Sequence, residues 1–416
     1  MAIASQLVIS QTIPATATAY AISSVPAWSP GLADFVGFGE AGVTIIRNNF
    51  AAKEQFVLPE FGLNAGAWVL DRHVRLLADT TGDGGADIVG FGESGVYVSL
   101  NLGNNSFAQS TFVHDDFAYS QGWRVDEHLR FMADLRNTGR ADMICFGDAG
   151  VYVSLNQGNG QFGPTQFVLS AFGAMAGNWS LTRHLRFVGD VNGDRFPDII
   201  GFSDTGVSVS LSKGDGTFQS PILVLPSFGF TQGWQVDQNP RFLADLNGDG
   251  KVDIIGFGND GVYISLNNGN GTFQPARLVL NDFSTQTGWT ATRHEWAVAD
   301  ITGDGRADIV GFKDEGVYVS INNGDGTFQP SELALDDFGY DQYWRIGATP
   351  RWVVDLTGDG VADIAGIGGS GFFVAYSDGK GGFGNSSTEI VGNVGYLIDG
   401  WSNTTTVKYV TNLYHP

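Results

Sequence analysis

An acidic nine-residue segment, Asp-x-Asn/Thr-Gly-Asp-x-x-x-Asp, returns about every 55 residues, each time leading into an Ile-rich run and then a Gly-Val-Tyr-Val-Ser-like strand. Its last aspartate falls at Asp87, Asp142, Asp198, Asp253, Asp308 and Asp363, in steps of 55, 56, 55, 55 and 55, and Asp34 is the matching residue of a truncated first copy. By length alone 416 residues suggest two or three domains. A repeat of this period instead predicts one closed array in which each unit buries its faces on its neighbours.

Within one unit, Arg241 to Asp245, Asp253 to Phe257, Val262 to Leu266 and Ala276 to Leu280 read as four short strands, β-branched or aromatic and bounded by Gly, Asn and Asp turns. The connections are hairpin-sized and no stretch shows a 3.6-residue apolar period, so each unit is expected to be a four-stranded antiparallel meander. The fold class is therefore all-β, a seven-bladed β-propeller. Lys408 to Asn412 aligns on a first strand, whereas Ala33 to Phe38 and Val43 to Ile46 align on a second and a third. The C-terminal strand should thus join the N-terminal blade and close the ring, leaving no free edge. The single domain divides into an N-terminal segment 1–24, where Leu7 to Ile9 could add a strand, a shared closing blade 25–60 plus 401–416, and six continuous blades over 61–400.

Acids outnumber bases 44 to 22, a formal net charge of −22, which argues against nucleic acid and anionic membrane surfaces as partners. Cys145 is the one cysteine and lies within a strand, so burial is its expected role. Met1 to Ser10 has no basic residue before its short apolar run, and no segment approaches 18 consecutive apolar residues. The expected location is cytoplasmic, or secreted without a recognisable signal peptide, with no membrane insertion. Asn-x-Ser/Thr triplets at Asn104, Asn178, Asn270, Asn385 and Asn403 read as turns rather than glycan acceptors.

The acidic segment places oxygen ligands at positions 1, 3, 5 and 9 of a hairpin loop: Asp79, Thr81, Asp83, Asp87; Asp190, Asn192, Asp194, Asp198; Asp245, Asn247, Asp249, Asp253; Asp300, Thr302, Asp304, Asp308; and Asp355, Thr357, Asp359, Asp363. Calcium takes six to eight hard oxygens, and this alternation with Gly at the turn suits structural Ca2+. The competing reading is an Asx-rich hairpin satisfied by its own amides. Three carboxylates in one small loop repel one another unless a cation intervenes, which favours the metal. In the third copy Arg136 and Thr138 replace two ligands, and that loop is expected to be metal-free.

Four of the six histidines stand five residues after a tryptophan: Trp68 and His73, Trp123 and His128, Trp179 and His184, Trp289 and His294. Arg75, Arg130 and Arg186 follow two residues later, and in an extended chain such pairs face one way, so His and Arg are expected to line one exposed surface together. Trp offers an apolar face to a sugar ring, or else is a wedge between blades, while His and Arg offer donors to hydroxyls. The turn between second and third strands lies at the same end and carries Glu40, Glu93, Asp148, Asp204 or Asp314, either acceptors for vicinal hydroxyls or solvated turn residues. Sugar candidates and calcium loops should occupy opposite faces. Asn239, Thr349 and Thr406 replace His, and Trp296 and Lys408 replace Arg, in the other units.

The loops resemble the calcium-binding FG-GAP repeats of integrin α-chain propellers. Over nearly the whole chain, the Gly122 to Asp134 unit, the Gly-Val-Tyr-Val-Ser-Leu-Asn strand, the Asn268 to Phe273 turn and the Asn-Leu-Tyr ending resemble more closely the fungal lectins typified by the Psathyrella velutina lectin, with a related Agrocybe lectin. That resemblance implies pockets between adjacent blades for glycans and glycoproteins ending in N-acetylglucosamine, and in some members sialic acid. The expectation is a multivalent lectin that is not an enzyme; the alternative is an integrin-like protein-interaction propeller.

Overall fold

The computed structural model describes residues 33–47, 54–384, 387–391, 401, 406–411 and 413. The strand expected at Leu7 to Ile9, Asn385, Asn403 and most of the Asn-Leu-Tyr ending lie outside these residues. Seven four-stranded antiparallel sheets form the blades of an all-β propeller, with a small two-stranded ribbon, Asn156–Gly158 with Gln161–Phe162, attached to the third. The helical structure among the described residues is three single 3₁₀ turns. No helix there is long and apolar enough to cross a membrane.

The second blade shows the pattern: Val74–Ala78, Asp87–Phe91, Val96–Ser99 and Thr111–His114, counted outward from the ring axis. Its two inner strands are buried at every residue, which is why they read as continuous apolar runs, whereas the outermost strand is half exposed. The first blade is assembled from both ends of the chain. Val407–Thr411 pairs antiparallel with Asp34–Phe38, in register from Asp34 opposite Thr411 to Phe38 opposite Val407. The Tyr409 hydroxyl also donates to the Arg75 carbonyl at 2.5 Å, and the Asn101 amide to the Leu413 carbonyl at 2.8 Å, so the closing strand is tied to the second blade as well.

Blades meet through aromatic wedges. Each Gly-Phe of a second strand has a tryptophan lying on its glycine: a Cβ on Gly201 would fall 2.4 Å from the Trp179 ring, and one on Gly37 2.2 Å from Trp401. Blade three carries Cys145 at this position, fully buried. At the opposite end, the hairpins interlock. The Ala141, Ala307 and Ala362 amides donate to the Asp79, Asp245 and Asp300 carbonyls of the preceding blade, each at 2.8 Å.

Candidate functional site

Each first strand is entered through a turn built on a phenylalanine at positive φ: Phe61 (62°), Phe117 (63°), Phe172 (61°), Phe228 (63°), Phe283 (54°) and Phe338 (59°). Such a φ is unfavourable for a bulky residue and persists only where the surroundings fix it. The ring packs on the blade's tryptophan, from 5.1 Å between centroids for Phe117 and Trp123 to 4.6 Å for Phe338 and Trp344. Its carbonyl accepts a buried donor. Arg75 reaches Phe61 at 3.0 Å, Arg130 reaches Phe117 at 2.9 Å, Arg186 reaches Phe172 at 2.9 Å, and Trp296 uses its indole N–H on Phe283 at 3.2 Å.

This overturns the expectation that His and Arg share an exposed face. Arg75, Arg130 and Arg186 are 1%, 2% and 3% exposed, and Trp68, Trp123, Trp179 and Trp289 are buried wedges. The strand pleat does put His and Arg on one side, but that side faces the neighbouring blade rather than water. Burial lowers the guanidinium pKa of all three arginines to about 10. The Nε and one terminal nitrogen of Arg75 and of Arg186, and both terminal nitrogens of Arg130, have no hydrogen-bond partner among the described residues.

The histidines have a structural role too. Their Nδ1 accepts the backbone N–H four residues earlier: Val69 to His73 at 3.1 Å, Arg124 to His128 at 3.0 Å, Ser180 to His184 at 3.1 Å and Thr290 to His294 at 3.0 Å. Asn239 accepts the same bond from Gln235 at 3.1 Å through Oδ1, and Thr349 from Arg345 at 2.5 Å through Oγ1. The replacements that looked like lost ligands therefore conserve an acceptor. Their common function is to close the turn between tryptophan and first strand.

What separates histidine from threonine is its outer nitrogen, and Asn239 keeps a second donor too, its Nδ2 reaching Asn259 Oδ1 at 3.2 Å. Nε2 meets the turn carboxylate of the same blade: His73 and Glu93 at 3.3 Å, His128 and Asp148 at 3.2 Å, His184 and Asp204 at 2.8 Å, His294 and Asp314 at 2.9 Å. With backbone N–H on Nδ1, the neutral ring carries its proton on Nε2 and donates it to the carboxylate. Burial lowers the His73, His184 and His294 pKa values despite the adjacent acid. The carboxylates remain solvent-facing, Glu93 at 53% and Asp148 at 50% side-chain exposure. The His184 bond, followed by that of Arg183, holds Asp204 below the usual carboxylate range.

Three arginines just before the histidine escaped the sequence reading, although Arg-His recurs at 72, 183 and 293. Arg72 bonds Glu93 at 3.5 Å, Arg183 bonds Asp204 at 2.5 Å, and Arg293 pairs with Asp314. Each also lies over an aromatic ring of the following linker, Tyr119 at 4.6 Å, Phe230 at 4.1 Å and Tyr340 at 3.8 Å. On the other side of the junction Arg124 covers Tyr119 at 4.0 Å and Arg345 covers Tyr340 at 3.5 Å. The junctions are thus unequal: two carry an arginine pair on one tyrosine, one carries a single arginine on Phe230, and Asn239 and Asn259 make a neutral contact at 3.2 Å in the fifth blade.

The acidic hairpins lie at the far end of the blades. Their position-1 carboxylates accept loop amides, as Asp79 does from Gly82 at 2.6 Å and Gly84 at 2.7 Å. Asp83 accepts from Gly85 at 2.8 Å. Buried Asp87 takes the Thr80 and Asn101 amides at 2.9 and 2.8 Å, and Asp198, Asp253, Asp308 and Asp363 repeat the arrangement. Burial, aided by the other loop aspartates, raises the pKa of Asp87 and Asp363 to about 6 and of Asp198, Asp253 and Asp308 to about 7. Where the acidic set is missing an arginine stands in: Arg136 of the third-blade hairpin grips Asp142 at 2.8 Å, and in the first blade Arg47, just after the strand Val43–Ile46, meets Asp34 at 2.8 Å. Lys251 and Arg306 pair instead with the outer Asp249 and Asp304.

Hard oxygens around an acid that elsewhere receives a guanidinium fit a dication. Their spacing is not that of a gathered site. Among the described residues the one set of three such side chains with ligand atoms all within 4.8 Å is Glu127, His128 and Asp148, at the histidine end.

Residues 245–311 match the FG-GAP-like repeat family. No curated protein matches the chain. Among solved structures, one of an Agrocybe aegerita lectin, described as recognising non-reducing terminal N-acetylglucosamine, is 48% identical, with 98% of this chain and 99% of that one covered and a TM-score of 0.90. The Photorhabdus luminescens Tc holotoxin pore is 17% identical over 83% of this chain and 18% of its own, with a TM-score of 0.43, too low to bear on fold or function. Near-complete mutual coverage at that identity, on a ring of seven sheets with the same repeat, means that this chain belongs to the propeller lectin family of the Agrocybe aegerita lectin.

Proposed function

We propose that the chain is a multivalent lectin for non-reducing terminal N-acetylglucosamine, bound at the histidine end of the blade junctions. The observation that carries this is the 48% identity, over 98% of the chain, to a lectin with that specificity. The site is centred on the turn carboxylates Glu93, Asp148, Asp204 and Asp314. Each has one oxygen steadied by a histidine N–H and the other available to a sugar hydroxyl. His73, His128, His184 and His294 orient these acids, and the Trp and Arg residues behind them form the rigid wall. Several weak sites on one rigid ring give avidity for clustered glycans.

Sialic acid belongs to the same reading as a second ligand. The support is the arginine pair on Tyr119 and on Tyr340, where Arg124 and Arg345 donate to backbone carbonyls, with no carboxylate bonded to either among the described contacts.

Structural calcium in the five acidic hairpins is the remaining part of the proposal. Positions 1, 3, 5 and 9 would hold it, and it would supply the charge that Arg136 and Arg47 supply elsewhere. Calorimetric titration with N-acetylglucosamine, with galactose as control, before and after chelation, tests the whole. About four sugars per chain with survival under chelation is the expected outcome. No saturable binding would sink the lectin site, and binding abolished by chelation would move calcium into it.

A further inference from the structure

In two blades a row of rings runs outward from the carboxylate turn and ends in solvent. Trp68 packs edge-on against Tyr97 (centroids 6.2 Å apart, 80°), and Tyr97 against Phe112 (5.5 Å, 80°). Blade three repeats it with Trp123 and Tyr152 at 5.8 Å, and Tyr152 and Phe167 at 5.2 Å. Phe112 and Phe167 sit opposite those tyrosines across the third and fourth strands, and are 52% and 53% exposed.

The row borders the proposed sugar acid. A Cβ on Gly95, two residues after Glu93, would lie 2.3 Å from the Phe112 ring, and the Tyr97 hydroxyl is 3.2 Å from that of Ser94. In blade three the Tyr152 ring would stand 3.1 Å from a Cβ on Gly147, next to Asp148. The matching pairs in other blades are Thr44 with Phe56, Ser208 with Leu223, Tyr263 with Leu278, Tyr318 with Leu333, and Phe373 with Glu389, none with two rings.

An exposed ring beside an acid and hydroxyls suits a pyranose, whose C–H face lies on the aromatic while its hydroxyls meet the acceptors. One ring per blade is far too little surface for a protein partner, which needs roughly 800 Å² on each side. We propose that Tyr97 with Phe112, and Tyr152 with Phe167, form a second subsite that stacks the penultimate pyranose of a glycan whose terminal sugar sits at Glu93 or Asp148. This rests on the function proposed above. Blades two and three then read glycan length, and the remaining junctions read the terminal sugar alone.

Titration of the full chain with N-acetylglucosamine and with di-N-acetylchitobiose tests this, using Phe112→Ala/Phe167→Ala and Phe112→Trp/Phe167→Trp variants with matched thermal melts. The disaccharide is expected to bind a subset of wild-type sites roughly three- to tenfold more tightly than the monosaccharide. The alanine pair should erase that advantage and leave monosaccharide binding unchanged, and the tryptophan pair should keep it. Equal affinities in the wild type, or an advantage that survives the alanine pair, would overturn the subsite while leaving the terminal-sugar site standing. Absence of monosaccharide binding in the wild type would instead overturn the function beneath it.

Discussion

The indole N–H of Trp296 donates to the Phe283 carbonyl across 3.2 Å, the bond that the guanidinium of Arg75 makes to Phe61 at 3.0 Å four blades earlier. Two unlike side chains occupy one position because each delivers a planar N–H donor, on a long apolar stem, into the seam between blades. The position is therefore selected for satisfying a carbonyl held at an unfavourable φ, and its repetition around the ring needs no ligand.

Arg186→Ala is expected to cost about 2–4 kcal/mol, since it leaves the Phe172 carbonyl unsatisfied beside a cavity. Trp296→Arg should cost far less, because the donor is kept. Urea unfolding of the two variants compares them, and a larger loss in Trp296→Arg would contradict the shared role.

His184→Asn should fold nearly as well as the wild type, as Asn239 does natively, whereas His184→Ala should lose about 1–3 kcal/mol with the orphaned Ser180 amide. His184→Ala should also weaken sugar binding at that junction, because the bond to Asp204 is gone, whereas His184→Asn should weaken it less, since the Nδ2 of Asn239 reaches the equivalent turn residue Asn259. A His184→Ala protein with wild-type unfolding would refute the turn-closing role.

Arg136→Asn removes the cation from buried Asp142 and should destabilise the protein by about 2 kcal/mol, a value reduced for the partial exposure of Arg136. Adding Thr138→Asp recreates the acidic set. The double variant is expected to regain its melting temperature in calcium and not in chelator. Recovery without calcium would show that the hairpins need no metal.

The pH dependence should change sign with calcium. The five position-9 aspartates have folded pKa values raised to about 6 or 7, so the folded state binds more protons than the unfolded one above about pH 4. In chelator, their contribution is full at acid pH and is lost as pH rises through 6 to 7. The lowered histidine values act oppositely, losing stability as pH falls below 6.5, but they involve fewer groups. With calcium present, deprotonated ligands bind more tightly and stability should rise over the same window. Thermal melts from pH 4.5 to 8 in chelator and in calcium distinguish the two, and matching profiles would exclude the metal.

Removing residues 407–416 takes the partner strand from Asp34–Phe38 and the Tyr409 bond to Arg75. The exposed inner edges should make the truncated protein aggregate. Size-exclusion chromatography checks this, and a stable monomer would show that the ring holds without its closing strand.

The 55-residue period, the hairpin-sized connections and the complementary chain ends settled the blade count, the strand order and the closure at the sequence level, because those depend on local patterning and topology. They also placed the acidic hairpins and the histidines at opposite ends. What a side chain faces is decided between blades, and a strand pleat cannot say whether its outward side meets water or a neighbour. For that reason Arg75, Arg130 and Arg186 read as exposed donors and proved to be buried carbonyl caps. Likewise Asn239 and Thr349, which looked like lost ligands, proved to keep the acceptor that matters. The carboxylate oxygen left to solvent, the arginines that bracket Tyr119 and Tyr340, and the rings that continue to Phe112 and Phe167 come together only when residues from adjacent strands and blades are packed.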